Sequence, residues 1–187
     1  MRLVAGLGNP GFKYRFSRHN LGYVIIDSFV KNIGLSWKYS PDWVCFYTKD
    51  QNTVFVKPST FMNNSGVAIA AVANFYNIKK EDILVVCDDV DLPFGKTRLA
   101  FDGLSAGHKG IDSIIKNLGG VEFGKLRVGI GRPETSGGKP VMEVADYVLL
   151  DFSEGEKGNL PMVISRAEAA MSSYLADGVE ATMNRFN

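Results

Sequence analysis

Two rhythms of apolar residues run along the chain, and they predict different elements. Residues 2–7 (RLVAGL) and 83–87 (ILVVC) are short apolar runs, the pattern of strands buried on both faces. Residues 43–48 (WVCFYT) and 53–56 (TVFV) are rich in aromatic and β-branched side chains and are joined by the polar KDQN, which predicts a hairpin. Residues 96–101 (KTRLAF) alternate as a strand with one wet face or at an edge does, and 126–130 (LRVGI) read as one more strand. Helical spacing covers residues 20–34, which end at a glycine stop, 65–76, which open on a serine cap, and 108–118. A long helical tract follows at 153–177, interrupted near 158–161, and a short helix at 179–185. This alternation predicts an α/β fold: one domain over 1–187, with a mixed, mostly parallel twisted sheet covered by helices on both faces. No repeat or linker is visible, and PETSGGKP (133–140) reads as a surface loop.

Composition narrows the class of protein without naming it. With 45% hydrophobic and 22% charged residues, the 187-residue chain has the apolar content to offset the entropy of ordering it, so a disordered chain is excluded. No apolar run approaches the ~18 residues of a membrane span, and the N-terminus turns to Gly and Pro before a signal-peptide core forms, which predicts a soluble cytoplasmic protein. Cys45 and Cys87 are flanked by apolar residues and read as buried strand thiols rather than a disulfide or metal pair. A net charge of +1 hides an asymmetry: residues 96–139 carry 8 basic and 4 acidic side chains, and 140–187 carry 3 and 8. The basic residues of the middle stretch (Lys96, Arg98, Lys109, Lys116, Lys125, Arg127 and Arg132) are where a phosphate-binding patch would lie.

Two short motifs compete for the chemistry and both fail on context. Gly6-Leu7-Gly8-Asn9-Pro10-Gly11 matches a dinucleotide fingerprint, with Asp27 lying 21 residues after the first glycine. Only 15 residues separate Gly11 from Asp27, too few for the helix and second strand that the fingerprint requires. Gly103-Leu104-Ser105-Ala106-Gly107 matches a nucleophile elbow, but no histidine follows far enough downstream to act as its base: His19 precedes it and His108 adjoins it. The DDVD run offers oxygen ligands without a second acidic motif or Cys/His spacing, so no metal is expected.

A third candidate is a set of polar residues at the carboxyl ends of apolar strands, where α/β sheets open a crevice. It comprises Asn9, His19, Asn63 and Asp88. A neutral imidazole can accept a proton near pH 7, and a carboxylate behind it fixes its tautomer and stabilises the imidazolium. His19 with Asp88 would make a water-activating pair.

Six strings together resemble bacterial peptidyl-tRNA hydrolases across nearly the whole chain: VAGLGNPGFKYRFSRHNLG, KPSTFMNNSG, CDDVDLPFGKTRL, GHKGIDSI, LRVGIGRP and the closing TMNRFN. The resemblance implies a monomeric enzyme, without cofactor or metal, that hydrolyses the ester joining a peptide to tRNA and engages the acceptor stem and the attached peptide. By position, His19 is the general base, Asp88 its supporting carboxylate, and Asn9 the group that checks for a blocked amino group. Tyr14, Phe61, Met62 and Asn63 fall at substrate-contacting positions, and Arg98 and Arg127 near the acceptor phosphate. The pattern departs at Lys109, where the family usually has Asn, exchanging a donor and acceptor for a donor alone that could grip a carbonyl or phosphate or repel an ammonium. The glycines before His108 are reduced to Ala106-Gly107. The alternative from another class is a non-catalytic RNA-binding relative, since this scaffold serves as a splicing-factor subunit in plant organelles; the intact His19, Asp88, Asn9 and Asn63 favour the enzyme.

Overall fold

The computed structural model describes residues 1–187. A seven-stranded sheet is formed by β1 (Arg2–Gly6), β2 (Lys38–Ser40), β3 (Cys45–Lys49), β4 (Thr53–Pro58), β5 (Ile83–Asp89), β6 (Thr97–Phe101) and β7 (Gly124–Gly129). Their spatial order is β2-β3-β4-β1-β5-β7-β6. The central four, β4, β1, β5 and β7, run parallel, while β3 pairs antiparallel with β2 and β4, and β6 closes the other edge antiparallel to β7. Six helices accompany the sheet: α1 (Leu21–Asn32), α2 (Ser65–Phe75), α3 (Lys109–Leu118), α4 (Val144–Tyr147), α5 (Glu154–Asp177) and α6 (Val179–Phe186).

The unbroken apolar runs of β1 and β5 follow from burial on both faces. Val4, Leu84 and Val86 join Leu21 and Ile25 of α1 and Met171 of α5 in one core cluster. Their neighbours Leu3, Ala5, Ile83 and Val85 join Ile69 and Val72 of α2 and Ile111 and Ile114 of α3 in the other. Side chains two apart along a strand share a face, so Asp88 continues the row of Leu84 and Val86 to the carboxyl end of β5. Because β1 has β4 on one side and β5 on the other, the chain leaves it toward one flank and later returns to the opposite one. A crevice opens at such a switch point.

Small residues let α1 sit directly on the sheet. A Cβ built on Gly22 would lie 2.4 Å from the carbonyl oxygen of Val86, and one on Gly6 would lie 2.4 Å from the carbonyl oxygen of Gly22. Backbone-to-backbone approach at this point carries the turn before α1, and His19 with it, toward the end of β5. Gly22→Ala should therefore cost ~1–3 kcal/mol by overpacking and also lower turnover, because the helix must retreat from β5. A urea midpoint and a rate both equal to the wild type would show that the close approach sets nothing.

The structure departs from the sequence pattern in three places. The tract at 153–177 is one continuous helix: Ser153 and Glu156 form a capping box, and Pro161 sits inside without ending it. Proline in a helix interior costs ~3 kcal/mol, but Val163, Ala167, Ala170, Met171 and Tyr174 are buried in the core beyond it, and their combined burial exceeds that cost. The 133–140 loop contains a two-residue hairpin, β8 (Thr135–Ser136) and β9 (Lys139–Pro140), turned by Gly137 and Gly138 at φ of 59° and 78°, as a type I′ turn needs. The strand β2 and the helix α4 carry too few residues for a periodic signal. Cys45 and Cys87 are free and buried, and burial pushes the Cys45 thiol up to about 12, so packing is their role.

Candidate active site

His19 stands in a single 3-10 turn, Arg18–Asn20, immediately before α1. Its backbone is tied to the far end of the chain: the N–H of His19 donates to the carbonyl of Val148 at 2.8 Å and that of Arg18 to Leu150 at 3.0 Å. The buried guanidinium of Arg18 strengthens the tie, donating to the carbonyl of Asp151 at 2.6 Å and to Glu156 at 2.7 Å, and lying over the rings of Tyr147 and Phe152. This anchoring lets a loop residue hold one orientation.

His19 Nδ1 lies 2.9 Å from Asp88 Oδ1 and 3.0 Å from Oδ2. A carboxylate only accepts, so in the neutral ring Nδ1 carries the hydrogen and Nε2 keeps a lone pair. The Asp88 side chain is 2% exposed and that of His19 12%. Burial pushes the Asp88 carboxyl up, but the facing His19 and His108 rings overcome this and hold it well below the usual carboxylate range.

A second imidazole, to which sequence reasoning assigns no chemistry, completes the group. His108 caps α3: its Nδ1 accepts from the backbone N–H groups of Gly110 at 3.1 Å and Ile111 at 3.4 Å. That fixes its hydrogen on Nε2, which donates to Asp88 Oδ1 at 3.1 Å. Asp88 thus receives two imidazole hydrogens, one from each side. The only sequence signal was the position of His108 directly before a helical pattern, where histidine is not a favoured cap. His19, Asp88 and His108 place ligand-type atoms within 4.8 Å of one another, the donor set of a small cation site, but hydrogen bonds already account for the nitrogen that each ring turns toward Asp88.

Asn9 is oriented with equal care. Its Oδ1 accepts from the N–H of Met62 at 2.9 Å, while Asn20 accepts from the Asn9 N–H at 2.8 Å and donates to its carbonyl at 2.9 Å. The bond from Met62 fixes which end of the amide is the oxygen, and the Nδ2 hydrogens of Asn9 have no partner within the chain and are free to donate to a ligand. Asn20 is the other functional residue that sequence reasoning missed; its signal is its place beside His19 in RHN.

A crevice of about 730 Å³ brings together Asn9, Tyr14, His19, Phe61, Met62, Asn63, Asp88, His108, Lys109 and Arg127. Tyr14 and Phe61 meet edge-to-face with ring centroids 6.4 Å apart. Arg98 is exposed on the edge strand β6, opposite Arg127 in register, and does not line the crevice. Arg127 is already engaged, with Asp89 at 3.2 Å and the carbonyl of Leu104 at 2.7 Å. Of the basic residues of the middle stretch, Lys109, Arg127 and Arg132 line the crevice, and Lys96, Arg98, Lys116 and Lys125 do not. Lys125 is fully buried, and its Nζ donates to the carbonyls of Asp102, Val121 and Phe123.

The two motif decoys resolve as well. No helix starts at the glycines after β1, and Asp27 lies within α1 rather than at a strand end. Ser105 Oγ accepts from the N–H of Gly107 at 3.1 Å and bonds to no base.

Residues 3–187 match the sequence profile of the family described as peptidyl-tRNA hydrolase. The chain belongs to the peptidyl-tRNA hydrolase family. It is 41% identical to a peptidyl-tRNA hydrolase of Sulfurihydrogenibium sp., covering 100% of this chain and 97% of the relative. It is 42% identical to that of Persephonella marina, again over 100% and 97%. Among solved structures, the peptidyl-tRNA hydrolase of Acinetobacter baumannii superposes with a TM-score of 0.89 at 29% identity, over 100% of this chain and 94% of that one. The α/β fold expected from the sequence is therefore the peptidyl-tRNA hydrolase fold, and the family is one of enzymes.

Proposed function

We propose that this chain hydrolyses the ester of peptidyl-tRNA with a water activated by His19, releasing free tRNA for reuse in translation. The observation that carries this reading is the Asp88 carboxylate accepting a hydrogen bond from Nδ1–H of His19, which leaves the Nε2 lone pair as the base in a crevice that Asn9 also lines. Water attacks the ester carbonyl as its proton passes to Nε2. The C–O bond to the ribose then breaks, and the imidazolium returns that proton to the departing ribose oxygen. An ester carbonyl is reactive enough toward one activated water that neither a serine nucleophile nor a metal step is needed. Asp88 supports the imidazolium, and His108 holds Asp88.

Substrate choice follows from the donor left on Asn9. Its Nδ2 matches the carbonyl of a peptide or acyl group on the substrate nitrogen, whereas a free ammonium offers only donors and leaves the Nδ2 hydrogens without an acceptor. Asn63 and the rims of Tyr14 and Phe61 flank the same peptide, with Met62 lining the floor. On this reading Arg98 contributes at the tRNA phosphates, and Arg127 mainly holds Asp89 and the loop at Leu104. The working unit is one domain and a monomer, acting in the cytoplasm; no helix is long and apolar enough to cross a membrane.

The test is release of N-acetylamino acid from N-acetylaminoacyl-tRNA. Multiple turnover by the purified chain, with aminoacyl-tRNA left largely intact, is the expected result. Binding of the tRNA without release would favour the non-catalytic RNA-binding alternative.

A further inference from the structure

We propose that Lys109 biases the crevice electrostatically against substrates with a free α-ammonium group, an inference that rests on the ester-hydrolase reading above. Three carboxylates and three formal cations line the crevice: Asp88, Asp89 and Asp91 against Lys109, Arg127 and Arg132. Two of the cations are already paired, Arg127 with Asp89 and Arg132 with Asp91. Asp88 meets only the two imidazoles. Lys109 is the remaining cation. It is exposed, and no hydrogen bond or ion pair engages its ammonium, although Asp112 follows one turn later on the same helix.

Nothing in the fold accounts for a lysine there. It is the first residue of α3, where the helix dipole opposes a positive charge, so the position is mildly unfavourable for stability. Toward the crevice its effect is different. Without Lys109 the lining carries one net negative charge, centred on the buried Asp88 carboxylate, and a low-dielectric cleft of that sign concentrates cations. An aminoacyl-tRNA with an unblocked amino group brings such a cation to the site. Lys109 cancels the attraction, while a peptide amide, being neutral, is indifferent to it. Asn9 selects by an unmatched hydrogen bond, and Lys109 adds selection by charge.

The readout is the ratio of kcat/KM for aminoacyl-tRNA to that for N-acetylaminoacyl-tRNA, measured within each variant so that losses common to both substrates cancel. Lys109→Gln should raise the ratio about tenfold, equivalent to ~1.4 kcal/mol, and Lys109→Arg should restore the wild-type value. A ratio unchanged in Lys109→Gln, or raised equally in Lys109→Arg, overturns the inference. A parallel fall for both substrates is an unchanged ratio and would point to a phosphate or carbonyl contact instead. In either case the hydrolase reading stands as long as the wild type still releases N-acetylamino acid, so the two failures are distinguishable.

Discussion

His19→Ala should lower kcat for N-acetylaminoacyl-tRNA by ~10²–10⁴-fold, the usual contribution of a positioned general base, with a much smaller change in KM. The split follows from the geometry. The His19 ring is in the crevice with one nitrogen committed to Asp88; in the proposed mechanism its other nitrogen handles the water proton, whereas Asn9, Asn63 and the aromatic rim hold the substrate. The backbone N–H of residue 19 still reaches Val148, and the fold should survive the truncation. Pre-steady-state and steady-state rates on the two proteins would check this. Equal kcat values would remove His19 from the chemistry, and a rise in KM alone would make it a binding group.

Asp88→Asn should be nearly as damaging, by ~10²–10⁴-fold in kcat, although it changes one atom. Both imidazoles now donate to the side chain. An amide nitrogen facing His19 Nδ1 would require that nitrogen to accept, moving the ring hydrogen to Nε2 and leaving no lone pair for water; mis-set tautomers of this kind cost hydrolases up to ~10⁴. The substitution also alters the pH dependence of stability. Asp88 has its carboxyl depressed by the two rings despite the opposing effect of burial, so in the folded state it binds its proton less readily than in the unfolded chain. Its contribution is then fully present above the ordinary carboxylate range of ~4 and is lost as pH falls below it. The gap in urea midpoint between wild type and Asp88→Asn should be constant near neutrality and narrow in acid. A gap that widens in acid would mean that the sign of the shift is wrong.

Much of this could be read from the chain because the informative residues break a pattern. Asp88 is a charge at the end of an apolar run, and burial on both faces explains both the run and the crevice beyond it. Asn9 and His19 follow β1 in a segment too short for another helix and strand. Elements fixed by tertiary contacts were less visible. Pro161 is a strong local stop signal, yet the buried side chains after it hold α5 together. Three residues, Lys38–Ser40, become a strand only because β3 lies beside them. His108 and Asn20 were hidden for a related reason: each acts through a partner, the first by capping a helix while gripping Asp88, the second by clamping the backbone of Asn9. Charge counting was the weakest guide, since Lys125 is buried among carbonyls and Arg127 is paired.

The most direct test is the position of the ring hydrogen on His19, read by ¹⁵N NMR of histidine-labelled protein at a pH where the ring is neutral. The expected result is a protonated Nδ1 with a hydrogen-bonded proton shift that disappears in Asp88→Asn, and an imine-type Nε2. A hydrogen found on Nε2 in the wild type would contradict it, because that nitrogen could not then take a proton from water.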